Sequence, residues 1–279
     1  MAITDQHELL MSDTDFEKIS ELAYLYTGTV FGPQKKDLVY DRLCRRLRDL
    51  NLHNMADYLT LIQSDNQPEA DEFINAITTH ARPFFDGMPH FNFLKETVWP
   101  ELKQTNADSK KVRVWSAGCA SGEEPYSLAM SLKESFDVNA WDCHILATDI
   151  DDNVIEKCQD GGYGIDCIKL LSTKQRQRFF VNDKNVQACV KVKPKLKSLV
   201  EFKTLNLLKK WPMLDKFDLI FCRDILIYFN EETQTELVKR FAETLKPGGY
   251  LIIGHSEALT VHSQHFTHMG NSIYQKPFS

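Results

Sequence analysis

The chain has 279 residues, room for one catalytic domain of ordinary size and a small companion, with 43% hydrophobic residues, 26% charged residues and a formal charge of −6. This composition excludes a disordered or collagen-like chain, and the acidic balance argues against DNA or RNA as the main partner, since phosphate binding calls for a broad cationic surface. Seven scattered cysteines, none in Cys-x-x-Cys spacing, suggest neither a disulfide framework nor a zinc site and point to the reducing cytoplasm. The opening stretch from Met1 to Lys18 is acidic where a signal peptide is positive and then apolar, and no later segment reaches membrane-spanning length, so neither export nor insertion is expected.

From Asp15 to about Thr79 apolar residues recur at helical spacing: Ile19, Leu22, Ala23 and Tyr26, then Leu38, Leu43 and Leu47, then Tyr58, Leu59 and Ile62. This spacing predicts four short helices. Thr27-Gly28, Phe31-Gly32-Pro33 and the stretch from Asn51 to Asn54 supply the turns between them, and Pro68 suits a first helical turn. An N-terminal helical domain is therefore drawn over residues 1–87. A fifth helix, Met88 to Leu102, and a polar stretch from Gln104 to Lys111 form a connector over residues 88–111.

From Val112 onward short apolar runs alternate with amphipathic segments. Strands are predicted at Val112 to Ala117, Cys143 to Asp149, Asp218 to Asp224 and Tyr250 to His255, and helices at Pro125 to Phe136, Asp152 to Gln159 and Glu232 to Leu245. Such alternation marks a parallel sheet with crossover helices, an α/β Rossmann-like domain over residues 112–279. Residues 165–201 break the pattern, with a helical piece from Thr173 to Phe180 and β-like pieces at Val186 to Val192 and Leu199 to Phe202, and are read as an inserted β-containing subdomain. A hairpin from Phe266 to Lys276, turned at Gly270-Asn271, closes the chain.

The stretch from Trp115 to Ser127 follows a strand and opens a helix. Small residues from Ser116 to Gly122 let a ligand lie against bare backbone, and Pro125 fits the first helical turn. Glu123 and Glu124 stand where a helix N-terminus is electropositive, so a pyrophosphate is disfavoured there. S-adenosylmethionine, with an ammonium, a sulfonium and a ribose diol but no phosphate, suits the loop better than NAD does. Asp149 ends the next strand, where a carboxylate accepts hydrogen bonds from ribose hydroxyls. Helix capping is the alternative for Asp149, and more so for Asp151 and Asp152; an ordinary tight turn is the alternative for the loop.

Five motifs occur in order: Ala-Gly-Cys-Ala-Ser-Gly-Glu-Glu-Pro-Tyr-Ser, Ala-Thr-Asp-Ile-Asp, Phe-Asp-Leu-Ile-Phe-Cys-Arg-Asp-Ile-Leu-Ile-Tyr-Phe, Leu-Lys-Pro-Gly-Gly and Gly-His-Ser-Glu. With them the chain, from about Phe16 to its end, resembles the bacterial chemotaxis-receptor glutamate methyltransferases. The resemblance implies S-adenosylmethionine as cofactor, S-adenosylhomocysteine as product, and methyl esters formed on receptor glutamates. It implies cofactor contacts from Thr79, Ala117, Gly118, Glu123 and Asp149, and from Asn206, Leu207, Asp224 and Tyr228. Tyr228 would also line the methyl-transfer site. Position 224 holds Asp where the family has Asn, which removes an amide donor and adds charge.

Methyl transfer to an ionised carboxylate needs no general base, which accounts for the lack of a Ser-His-Asp set, a Cys-His pair or a His-Glu-x-x-His run. The family motif Thr-Asn-x-Thr-x-Phe-Phe-Arg is altered here, with His80, Arg82 and Asp86 in place of its Asn, second Thr and Arg. An acid at 86 opposes an incoming carboxylate; Arg82 could supply the cation instead, although Pro83 disfavours a helical conformation at residue 82. Asp86 therefore keeps two alternatives open, a cofactor-binding sensor and a methyltransferase with another acceptor. The basic stretch from Lys35 to Arg48, with Lys36, Arg42, Arg45 and Arg46, reads either as the docking face for receptor helices or as a solvated cationic face. Trp115, Trp141, Phe84 and Phe85 are read as core, with the two Phe as possible walls of the cofactor pocket. His262, His265 and His268 fall on opposite faces of a strand, so no metal is expected, and the chain is read as a monomer.

Overall fold

A computed structural model of the chain describes residues 11–28, 31–52, 54–64, 67–78, 83–184, 186, 188–213, 215–255, 257 and 265–278. The chain divides into two compact units, Met1–Thr79 and His80–Ser279. In the first, helices α1 (Asp13–Thr27), α2 (Lys36–Asp49), α3 (Met55–Gln63) and α4 (Gln67–Thr78) follow the predicted periodicity. Ser12 starts α1 through a reciprocal capping box with Asp15, and Asn54 starts α3 by accepting from the Asp57 N–H, so orphan N–H groups at both ends are satisfied. Ile19, Ala23, Leu43, Leu47, Tyr58 and Phe73 are buried as the unit's core. Arg46 grips Glu69 with two hydrogen bonds, of 3.0 and 2.6 Å, which brings α4 against α2.

The second unit opens with α5 (Met88–Phe93) and α6 (Trp99–Thr105), joined by a wide π-turn over Leu94–Val98. Pro100 in the first turn of α6 cannot donate a backbone hydrogen bond, and the looser turn before it absorbs that gap. Then follow β1 (Lys111–Ala117), α7 (Glu123–Ser135), β2 (Asp142–Asp149), α8 (Asp152–Asp160), β3 (Gly162–Gly164), α9 (Thr173–Phe179), β4 (Phe180–Asn182), β5 (Cys189–Val192), α10 (Pro194–Lys197), β6 (Val200–Thr204), β7 (Phe217–Cys222), α11 (Glu231–Thr244), β8 (Leu245–Ile253), β9 (Thr267–Gly270) and β10 (Ile273–Gln275). The main sheet runs β6-β2-β1-β7-β8-β10-β9, parallel from β6 to β8 and antiparallel at β10 and β9. Side chains alternate across it. Val112, Val114, Ile145, Leu219 and Phe221 pack in one cluster with Tyr126, Leu128 and Trp99, while Trp115, Leu146, Ile220 and Cys222 pack in another with Leu237, Val238 and Phe241.

Two boundaries differ from the sequence reading. Residues 88–111, read as a connector, and residues 83–87, read with the helical domain, fall in the second unit, where Phe84, Phe91, Leu94, Val98, Trp99 and Leu102 are buried in the core cluster of the sheet. The inserted sheet, β3-β5-β4, begins at Gly162, and the piece expected at Leu199 to Phe202 is not part of it. That piece is β6, the edge strand of the main sheet, with Ile145 opposite Val200 and Asp149 opposite Thr204. A short apolar run carries no signal for which sheet it joins. Among the described residues no helix is long and apolar enough to cross a membrane, and no cluster of His, Cys, Asp and Glu is placed to hold a metal ion. His262 lies outside the described residues.

Candidate active site

Four parallel strands leave the sheet along one edge: Ala117 closes β1, Asp149 closes β2, Asn206 and Leu207 follow β6, and Asp224 follows β7. In an open α/β sheet this carboxyl-end edge, where the chain departs to either side of a central strand, is where ligands settle. Parallel order thus gathers residues that lie far apart in the sequence.

The loop after β1 stays tied to β2. The N–H groups of Gly118 and Cys119 both donate to the Thr148 carbonyl, at 2.7 and 2.9 Å, and the Ala120 N–H donates to Asp149 Oδ2 at 2.9 Å. Gly118 has φ of +80°, and a Cβ there would lie 2.4 Å from Ile225 Cδ1, so both conformation and space require glycine. Asp149 Oδ1 accepts from the Asp151 N–H at 3.2 Å; burial raises the Asp149 pKa, while these backbone bonds lower it. Asp151 itself caps α8, accepting from the Val154 N–H at 3.0 Å.

The two acids that open α7 differ in their commitments. Glu123 is buried, accepts from Ser121 Oγ at 2.5 Å, and is pushed up in pKa by burial. Glu124 accepts from Ser116 Oγ at 2.8 Å and lies 3.4 Å from Arg223 Nη1. No Lys or Arg occurs from Val114 to Leu132, so the loop itself offers no side chain to grip a phosphate. Bare backbone, the Asp149 carboxylate and a buried Glu123 fit a ligand bearing hydroxyls and positive charge.

On the other side, Asp224 has φ of +57°, a conformation Asp tolerates better than most residues. It is fixed by Glu257, whose carboxylate accepts from the N–H groups of Gly254 at 2.6 Å, Asp224 at 2.9 Å and Ile227 at 3.1 Å. Burial raises the Glu257 pKa, these three bonds lower it, and the Asp224 charge raises it again. Arg223, 5% exposed, donates through Nη1 to the Asp86 carbonyl at 2.8 Å and through Nη2 to Asp86 Oδ2 at 2.9 Å. The charge at Asp86 is therefore matched within the protein and is not left to oppose an incoming carboxylate.

Asn206 Oδ1 accepts from the Leu208 N–H at 2.9 Å, Leu207 is buried, and Tyr228 ends a short 3-10 turn, Leu226–Tyr228. Thr79 and Arg82, expected at the cofactor and at the methyl-transfer site, lie outside the described residues. Phe84 is buried against Tyr163 and Phe180, a core role, while Phe85 is half-buried and packs edge-on to Phe91.

Residues 14–78 match the all-alpha domain of CheR methyltransferases, and residues 81–275 match the CheR methyltransferase SAM binding domain. The chain belongs to the CheR methyltransferase family. The division between the two matches falls where the two compact units divide. Similar CheR-family proteins include the chemotaxis protein methyltransferases of Klebsiella aerogenes and of Escherichia coli K12. Each is 39% identical over 269 residues; these span 95% of this chain and 90% and 92% of theirs. A third, from Borreliella burgdorferi, is 37% identical, covering 88% of each chain.

As a CheR-family methyltransferase, the chain binds S-adenosylmethionine. Two residues of its site had no assigned role in the sequence reading, Arg223 and Glu257. Both lie inside motifs that carried the family resemblance, and position inside a motif was the available signal. In the helical unit, Lys36 pairs with Asp13 at 2.5 Å, Arg46 with Glu69, and Arg42 donates to the Ile77 carbonyl, while Arg48 is exposed.

Proposed function

We propose that this chain methylates glutamate side chains on chemotaxis receptors, with the methyl-transfer site at the carboxyl edge of β1, β2, β6 and β7. The convergence of the loop from Ala117 to Glu123, Asp149, Asn206, Leu207 and Asp224 on that edge carries the reading, together with relatives that are chemotaxis protein methyltransferases. Bound S-adenosylmethionine supplies an electrophilic methyl group on a sulfonium. Asp149 accepts hydrogen bonds from the ribose hydroxyls, and Glu123 and Asp224 provide negative potential for the cofactor's positive groups. Ala117 and Gly118 offer backbone at close range, and Asn206 and Leu207 flank the cofactor from the β6 side. Tyr228 lines the methyl-transfer site, and the role of the acceptor-binding cation is assigned to Arg82.

A glutamate side chain titrates near 4.3 and reaches the site already ionised, so no residue has to remove a proton. The protein's work is to hold the acceptor oxygen in line with the methyl carbon and to exclude water. The stretch from Lys35 to Arg48 meets the acidic receptor helices, with Arg48 an exposed cation among the described residues. The enzyme acts as a cytoplasmic monomer. Radiolabelled methyl transfer to receptor-containing membranes tests this: the expected product is label on a receptor that is released as methanol by mild base. Cofactor binding without label on the receptor would point to a sensor or to another acceptor, the alternatives raised by the altered motif at positions 80, 82 and 86.

A further inference from the structure

We infer, on the reading that this edge binds S-adenosylmethionine, that Asp86 is a positioning residue whose carboxylate holds Arg223, and through it the cofactor-binding loops, in place. Arg223 is 5% exposed, and a guanidinium so buried requires counter-charge. It receives it from two acids on different segments. Asp86 meets it twice, through its carbonyl at 2.8 Å and its carboxylate at 2.9 Å, whereas Glu124 stands off at 3.4 Å. The turn bearing Asp86 is shaped around the guanidinium: a Cβ on Gly87 would lie 2.8 Å from Nη2, and Gly87 has φ of +76°.

Both ends of this contact reach the cofactor edge. Arg223 directly precedes Asp224, and Glu124 also accepts from Ser116, the residue before Ala117. The same turn is fixed a second time, because the Phe85 N–H donates to Ser127 Oγ at 2.9 Å and that hydroxyl donates to the Glu123 carbonyl at 2.6 Å. If Asp86 lost its charge, Glu124 would be the counter-ion left to Arg223 among the described residues. It would be drawn toward Arg223 and away from Ser116, shifting the strand end on which Ala117 and Gly118 sit. The acid at position 86 thus serves the site through charge matching with Arg223, without touching cofactor or acceptor. An arginine at this position would set two guanidinium groups against each other and lower cofactor affinity.

Calorimetric titration of the full-length protein with S-adenosylhomocysteine, beside the melting temperature of each ligand-free protein, tests the inference. If the wild type does not bind, the cofactor reading itself fails, and this is seen before any variant is compared. Given binding, Asp86→Asn is expected to weaken affinity roughly tenfold and Asp86→Arg at least as much. The melting temperature of Asp86→Asn is expected to fall modestly, since the buried Arg223 keeps Glu124 as counter-charge, and affinities are compared at a temperature where every ligand-free protein is folded. Asp86→Glu, which keeps the carboxylate, is expected to stay within about threefold of the wild type. Unchanged affinity in Asp86→Asn overturns the inference, as do equal losses in Asp86→Asn and Asp86→Glu or a gain of affinity in Asp86→Arg.

Discussion

Glu257 accepts from three backbone N–H groups with one carboxylate, those of Gly254, Asp224 and Ile227, and the last two bonds tie down the turn from Cys222 to Tyr228. Glu257→Ala would leave those donors without partners, each at a cost of about 1–3 kcal/mol, partly offset because a buried charge is also removed. The expected result is a loss of roughly 2–4 kcal/mol in urea denaturation together with weakened S-adenosylhomocysteine binding; a stable variant with normal affinity would show that the turn holds itself. The sequence contained Glu257 and Arg223 within recognisable motifs, yet their roles depend on distant partners. Asp86 and Arg223 are 137 positions apart, and Glu257 reaches back 33 to Asp224. No local spacing rule connects such pairs. Asp86 shows the limit most clearly, because its charge taken alone argued for repulsion and its partner reverses that argument.

Elements with strong periodicity or strong capping were legible in the sequence. The helices of the first unit, the β-α alternation from Val112 and the closing hairpin lie where the pattern put them, and Asp151 caps α8 as its position suggested. Assignments that depend on which partner a short run finds were not legible, as with β6, or with α5 and α6, whose buried faces join the second unit's core. The Asp151 cap also predicts a pH effect. Burial, with the Asp149 charge adding to it, pushes the Asp151 carboxyl up from its ordinary 3.8 to about 6. A carboxyl that titrates higher when folded stabilises fully below the unfolded value, and that contribution is lost as pH rises through about 6. Asn caps a helix as well as Asp does and carries no charge. The stability of Asp151→Asn relative to wild type should therefore rise between pH 4 and pH 7; a pH-independent difference in urea midpoints would show that the carboxyl does not titrate in this range.

For the whole molecule, a net charge of −6 coexists with a basic helix in the first unit, and much of that helix's charge serves the unit itself. Lys36, Arg42 and Arg46 are engaged by Asp13, the Ile77 carbonyl and Glu69, so Arg48 is the cleaner test of receptor docking. Arg48→Glu should raise KM for receptor several-fold at low ionic strength, with the difference shrinking as salt screens it and with no change in melting temperature. An unchanged KM would place docking elsewhere. The central claim concerns the second unit: the carboxyl edge of its parallel strands holds S-adenosylmethionine. Calorimetric titration of the wild-type protein with S-adenosylmethionine and S-adenosylhomocysteine tests that claim most directly. Micromolar binding of one equivalent, weakened at least tenfold in Asp149→Ala, is the expected result. No heat with either ligand, or full affinity in Asp149→Ala, would contradict it.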